Sequence, residues 1–124
     1  MGGFRLAGKF VRSYQGGETI FAEGGSGQEM FVIKAGGVDI LKRTRGRDEL
    51  VGTLGPGEVF GEMALVDNLP RSATAVAAED GTEVVAIDHA HFVYLIGQQP
   101  AFALVVLKAL SLKLRAQMAA GHLS

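Results

Sequence analysis

The sequence contains no cysteine, which excludes a disulfide framework, thiolate metal ligands and thiol redox chemistry. It also lacks any apolar run of bilayer length, and its N-terminus shows no leader pattern. Neither a membrane segment nor a signal peptide is therefore expected. Met1-Gly2 is a myristoylation-like start, but Leu6 stands where that signal needs Ser or Thr. Charge of one sign is not in excess either. Twelve Lys and Arg against 13 Asp and Glu leave a formal net charge of −1, so no global basic field argues for nucleic acid. Internal repeats are absent. What remains is a chain of 124 residues, 48% hydrophobic, sized for one domain with a single core and expected in the cytoplasm.

Glycine is what the sequence has in quantity, 18 residues, about twice the usual share. The glycines fall at intervals, as turn punctuation between short strands does. Residues 10–14, 19–22, 29–35, 38–43 and 49–54 read as strands, with a charged hairpin tip at 44–48. Residues 72–78 and 83–87 read as two more, around Glu79-Asp80-Gly81. Many short strands at this spacing point to a sandwich, barrel or jelly roll. The period changes at Asp88, an N-cap for a helix to about residue 97. Gln98-Gln99-Pro100 interrupts, and a long helix from Phe102 to about residue 119 follows. Its apolar positions exceed one stripe, so it needs more than one partner. The expected organisation is a single domain over 1–124. It has a lead-in at 1–9, a β region at 10–87, C-terminal helices at 88–119 and a tail at 120–124.

The chemistry concentrates in residues 60–74, Phe-Gly-Glu-Met-Ala-Leu-Val-Asp-Asn-Leu-Pro-Arg-Ser-Ala-Thr. Gly61 opens a short helix-compatible run, and backbone N–H groups at a helix start can bind phosphate oxygens. Without a Cβ, Gly61 lets the backbone approach a ligand. Arg71 offers a planar, always-charged fork for two phosphate oxygens, and Ser72 adds a hydroxyl. Glu62 beside a phosphate makes sense if it turns away and accepts from a neutral donor such as a ribose hydroxyl.

Phe60-Gly61-Glu62-Met63-Ala64-Leu65, followed after a short gap by Arg71-Ser72-Ala73-Thr74, closely resembles the phosphate-binding cassette of cyclic nucleotide-binding domains. That family includes regulatory subunits of protein kinase A, cyclic-nucleotide-gated channels and the catabolite activator protein. The resemblance implies a mainly β fold with C-terminal α-helices. Its β-roll, jelly-roll-like and of about eight strands, would carry the cassette at 60–74 and be followed by a short helix and a long lid helix. It implies that Glu62 accepts from the ribose 2′-hydroxyl and that Arg71 pairs with the cyclic phosphate. Gly61, Met63 and Ala64 would give backbone groups near ribose and phosphate, with Ser72 and the Ala73 N–H completing the shell. Thr74 would face the neighbouring strand or the base edge, and Leu107 or Lys108 would be the base contact or lid. No cofactor is implied beyond the ligand itself. Ser72 beside Arg71 favours cAMP over cGMP, because some cGMP-selective relatives have Thr there.

The function so implied is a cyclic nucleotide sensor without catalytic activity, which signals by repositioning its C-terminal helices about a hinge at 98–100. Its partners would be the nucleotide and, through the last helix, a homodimer mate or a fused effector. No DNA-binding segment is expected in this chain. A second reading is an interaction or dimerisation domain with a degenerate pocket. A third is a metal-dependent jelly-roll enzyme, for which His89-Ala90-His91 is the available pair. Residues two apart on a helix face different directions, so that pair does not converge on one metal.

Overall fold

The computed structural model describes residues 10–119; the expected lead-in and tail lie outside that range. Eight strands form two antiparallel four-stranded sheets, and two helices follow. The strands are β1 (Val11–Tyr14), β2 (Thr19–Phe21), β3 (Met30–Ala35), β4 (Val38–Thr44), β5 (Arg47–Leu54), β6 (Val59–Phe60), β7 (Thr74–Ala77) and β8 (Thr82–Ile87). A single turn of 3-10 helix, Glu62–Leu65, follows β6, and the last described elements are α1 (His89–Gln98) and α2 (Ala101–Ala119). One sheet has the order β1-β8-β3-β6, the other β2-β7-β4-β5.

Local chemistry accounts for the boundaries. At the β4–β5 tip, Arg45 and Gly46 both hold positive φ, 55° and 78°, as a tight hairpin turn requires. Two residues suffice to reverse the chain, so pairing extends to Thr44↔Arg47 and the tip is shorter than the expected 44–48. β6 is only two residues long, paired Val32↔Val59 and Phe31↔Phe60. Ahead of it the Gly55-Pro56-Gly57 turn is pinned to β3, with the Gly57 N–H donating to the Ile33 carbonyl at 2.8 Å. Asp88 caps α1, its carboxylate accepting from the His91 N–H at 2.8 Å. β7 starts at Thr74, later than the expected residue 72.

Alternation along the strands builds two cores. Phe31, Ile33, Phe60, Val84 and Ala86 face the interior of the roll with Val38 and Ala75 from the second sheet. Met30, Val59, Val85 and Ile87 face the other way, against Leu95 of α1 and Phe102 and Val106 of α2. The first sheet is therefore covered on both faces, which is why β3 and β8 read as nearly continuous apolar runs. This packing lays α2 beside β6 and the 3-10 helix. The cassette thus lies where roll and helix meet.

Candidate functional site

Gly61 ends β6 in the left-handed region, φ 73° and ψ 10°, and the 3-10 helix begins at the next residue. A Cβ there would lie 3.0 Å from Arg71 Nη1 and 3.3 Å from the Glu29 carbonyl, so both conformation and space require glycine. The reversal turns Glu62 inward. Its carboxylate is fully buried and forms an ion pair through Oε2 with Lys113 of α2. Among the described residues, Glu62 Oε1 has no hydrogen-bond partner.

Arg71 is also buried, only 7% exposed. Its backbone is clamped by two hydrogen bonds of 2.8 Å, from Gly24 N–H to the Arg71 carbonyl and from Arg71 N–H to the Gly25 carbonyl. The guanidinium lies over the Phe21 ring, 4.2 Å from its centroid, and donates through Nη1 to the Gly61 carbonyl at 3.2 Å. Such a cation–π contact contributes roughly 0.5–2 kcal/mol. Gly27 closes the other side; a Cβ there would be 2.7 Å from Nη2. Burial pulls the Arg71 pKa down from its ordinary value, and the nearby Glu29 carboxylate works against that shift. An arginine starts from so high a pKa that the fork stays charged. Among the described residues its buried Nε also lacks a hydrogen-bond partner.

Two buried side chains of opposite charge thus flank Gly61, Arg71 through its bond to the Gly61 carbonyl and Glu62 as the next residue, each with an unsatisfied polar atom. Buried polar atoms without partners are uncommon and costly, and two at one place indicate a ligand with a donor and an anion. Among the described residues no three His, Asp or Glu side chains gather in a metal-holding group. His89 is exposed, and His91 packs on the Phe10 ring at 4.5 Å.

The other residues singled out in the sequence are placed as follows. Ala64 is buried and Met63 half-buried in the 3-10 helix. Ser72 is exposed, with its carbonyl accepting from Lys42 Nζ at 2.7 Å, and Ala73 is half-buried beside it. The Thr74 hydroxyl faces the neighbouring chain, accepting from the Glu23 N–H at 2.8 Å. Leu107 and Lys108 lie exposed on α2. The α2 side chain that reaches the cassette is Lys113, seven residues after buried Val106 and so on the same helical face. Phe21, Gly27 and Lys113 were not singled out in the sequence. Only the phase of α2 carried a signal for any of them.

Comparison with known proteins decides the family. Residues 11–99 match the family model for the cyclic nucleotide-binding domain. The chain belongs to that family. It is 38% identical over 105 residues to the cyclic AMP receptor protein of Thermus thermophilus, covering 84% of this chain and 48% of that protein. It is 37% identical over 91 residues to the cAMP-dependent protein kinase regulatory subunit of Mycosarcoma maydis, covering 70% of this chain and 17% of that one. The chain thus spans less than half the length of these relatives. Among solved structures, the Thermus thermophilus catabolite activator protein superposes with a TM-score of 0.72 at 34% identity, over 90% of this chain and 51% of that one. This is a cyclic nucleotide-binding domain of regulatory type, with the jelly-roll fold of its family. Among the described residues, no helix is long and apolar enough to cross a membrane.

Proposed function

We propose that this domain binds cAMP in preference to cGMP, acts in the cytoplasm without catalysis of its own, and reports occupancy by repositioning α2. The observation that carries the reading is the buried pair at Gly61, with Arg71 supplying a fixed positive fork and Glu62 a spare acceptor oxygen. A cyclic nucleotide monophosphate has one negative charge and one free ribose hydroxyl, which matches one arginine and one free carboxylate oxygen. Arg71 takes the cyclic phosphate and Glu62 Oε1 the ribose 2′-hydroxyl, while backbone groups of Gly61, Met63, Ala64 and Ala73 and the Ser72 side chain complete the shell. Ser72 beside Arg71 supports the preference for cAMP.

The contact between α2 and the cassette supports repositioning. Glu62 is fully buried and ion-paired to Lys113, so a nucleotide bound at its carboxylate acts directly on α2. The Gln99-Pro100 link between α1 and α2 is the short joint about which α2 can turn. The size of the response is limited by the nucleotide's preference for one helix position over the other.

An outward-facing feature supports a partner on the same helix. Leu104, Leu107, Leu114 and Met118 are exposed, with Ser111 completing an alternating three-and-four spacing. That spacing is a coiled-coil seam, and a second copy of the chain is the partner it suits.

Titration calorimetry with cAMP and cGMP tests the reading. Saturable binding of cAMP, tighter than cGMP, is the expected result, and Arg71→Ala should weaken it by about 2–4 kcal/mol. Binding of neither nucleotide at tens of micromolar would overturn it.

A further inference from the structure

Resting on the nucleotide-binding reading, we infer that Lys42 is a positioning residue for the phosphate, because it sets the plane of the Ser72–Ala73 peptide and so aims the Ala73 N–H. Pairing between β4 and β7 stops at Leu41↔Thr74, which leaves this peptide just beyond the ladder that would orient it. Lys42, the next residue of β4, restrains it through a side chain instead. Its ammonium donates to the Ser72 carbonyl at 2.7 Å, across 30 positions of sequence. Peptide units are planar, and those of the described residues are trans. The carbonyl and N–H of one trans unit point in opposite directions. A Ser72 carbonyl held by Lys42 therefore directs the N–H of half-buried Ala73 away from the ammonium.

Lys42 is itself held in place. Glu23 accepts from the Arg43 N–H through Oε1 at 2.8 Å and sets Oε2 3.7 Å from the Lys42 ammonium. With these side chains 53% exposed for Lys42 and 30% for Glu23, the ion pair contributes little energy. Its effect is placement, keeping the ammonium beside Ser72. The stronger contact is the charge-assisted bond to the carbonyl, which also polarises the peptide and makes its N–H a better donor. Clamps flank the unit on both sides. Gly24 and Gly25 fix the Arg71 backbone, and the Glu23 N–H bonds the Thr74 hydroxyl at 2.8 Å. Lys42 fixes the plane between them.

This gives Lys42 an effect distinct from that of Arg71. A guanidinium fork attracts both exocyclic oxygens of a cyclic phosphate, whereas one aimed N–H bonds a single oxygen. The through-space pull of the Lys42 charge is nearly the same for the two oxygens, and salt screens it. Aim therefore shows in the choice between oxygens, and charge alone does not.

The test uses cAMP and its two phosphorothioate diastereomers, in each of which sulfur, a poorer acceptor, replaces one exocyclic oxygen. By calorimetry the parent should bind the two diastereomers with affinities that differ by about ten-fold. Lys42→Met, which keeps the stem and loses the donor, should weaken cAMP by about five-fold and narrow that difference to about three-fold or less. Lys42→Arg, which keeps a charged donor, should restore most of both. In NMR spectra the Ala73 amide proton of the parent should move downfield on binding cAMP, and by less in Lys42→Met. If Lys42→Met matches the parent, or weakens both diastereomers by the same factor, Lys42 does not aim the N–H although the domain still binds nucleotide. A parent that binds none of the three ligands overturns this inference and the reading beneath it together.

Discussion

At the scale of single residues, two glycines do different work for the same arginine. Gly61 is needed for its left-handed backbone and for space, whereas Gly27 is needed for space alone. The atoms that a Cβ on Gly27 would meet first are the guanidinium nitrogens at the far end of a side chain. Gly27→Ala should therefore fold, with an overpacking cost of about 1 kcal/mol, and displace Arg71 from Phe21. Nucleotide affinity should fall by about ten-fold, since a charge-assisted contact depends on placement. Gly61→Ala should lose roughly 1–2 kcal/mol of stability from conformation alone and bind poorly as well. Thermal melts beside calorimetry separate the two, and a Gly27→Ala variant with unchanged affinity would count against the role given to that wall. Glu62 and Arg71 stood out in the sequence as candidates because their chemistry sits within one short stretch with a recognisable spacing. Lys113, Phe21 and Gly27 could not, because their part in the site exists only once distant segments meet.

At the scale of elements, the strands and helices with a clear period were readable and the shortest element was not. Two residues, Val59–Phe60, are too few to show alternation, so β6 has no sequence signature apart from the turn before it. The same limit hid the true length of the β4–β5 hairpin, where a tip of Arg45 and Gly46 was masked by the surrounding charges. The start of α1 was legible through Asp88, and the structure shows its carboxylate in the capping position. Asp88→Ala should lower stability by about 1 kcal/mol in a denaturant titration. Because α1 also packs against α2, the same change should loosen α2 and raise its hydrogen-exchange rate without altering Arg71. Unchanged stability in the variant would show that this cap contributes little.

At the scale of the whole molecule, the last helix carries two tasks on two faces. One face holds Phe102 and Val106 in the core and extends Lys113 to the cassette. The other exposes Leu104, Leu107, Leu114 and Met118. An apolar excess beyond one stripe was legible in the sequence, but not which residues went to which face, because that depends on how the sheet orients the helix. If the outer face pairs with a second copy, Leu107→Glu with Leu114→Glu should shift sedimentation from dimer to monomer while the chain remains folded. A parent that stays monomeric at hundreds of micromolar, with and without cAMP, would remove the second copy as the partner. The sheet shared by both cores has one more consequence, for mutational scanning. On β8 the even positions Val84 and Ala86 face the roll and the odd positions Val85 and Ile87 face the helices. Damage along this strand should therefore alternate residue by residue between two phenotypes, loss of ligand affinity and loss of response to bound ligand, making β8 a ruler for separating sensing from signalling.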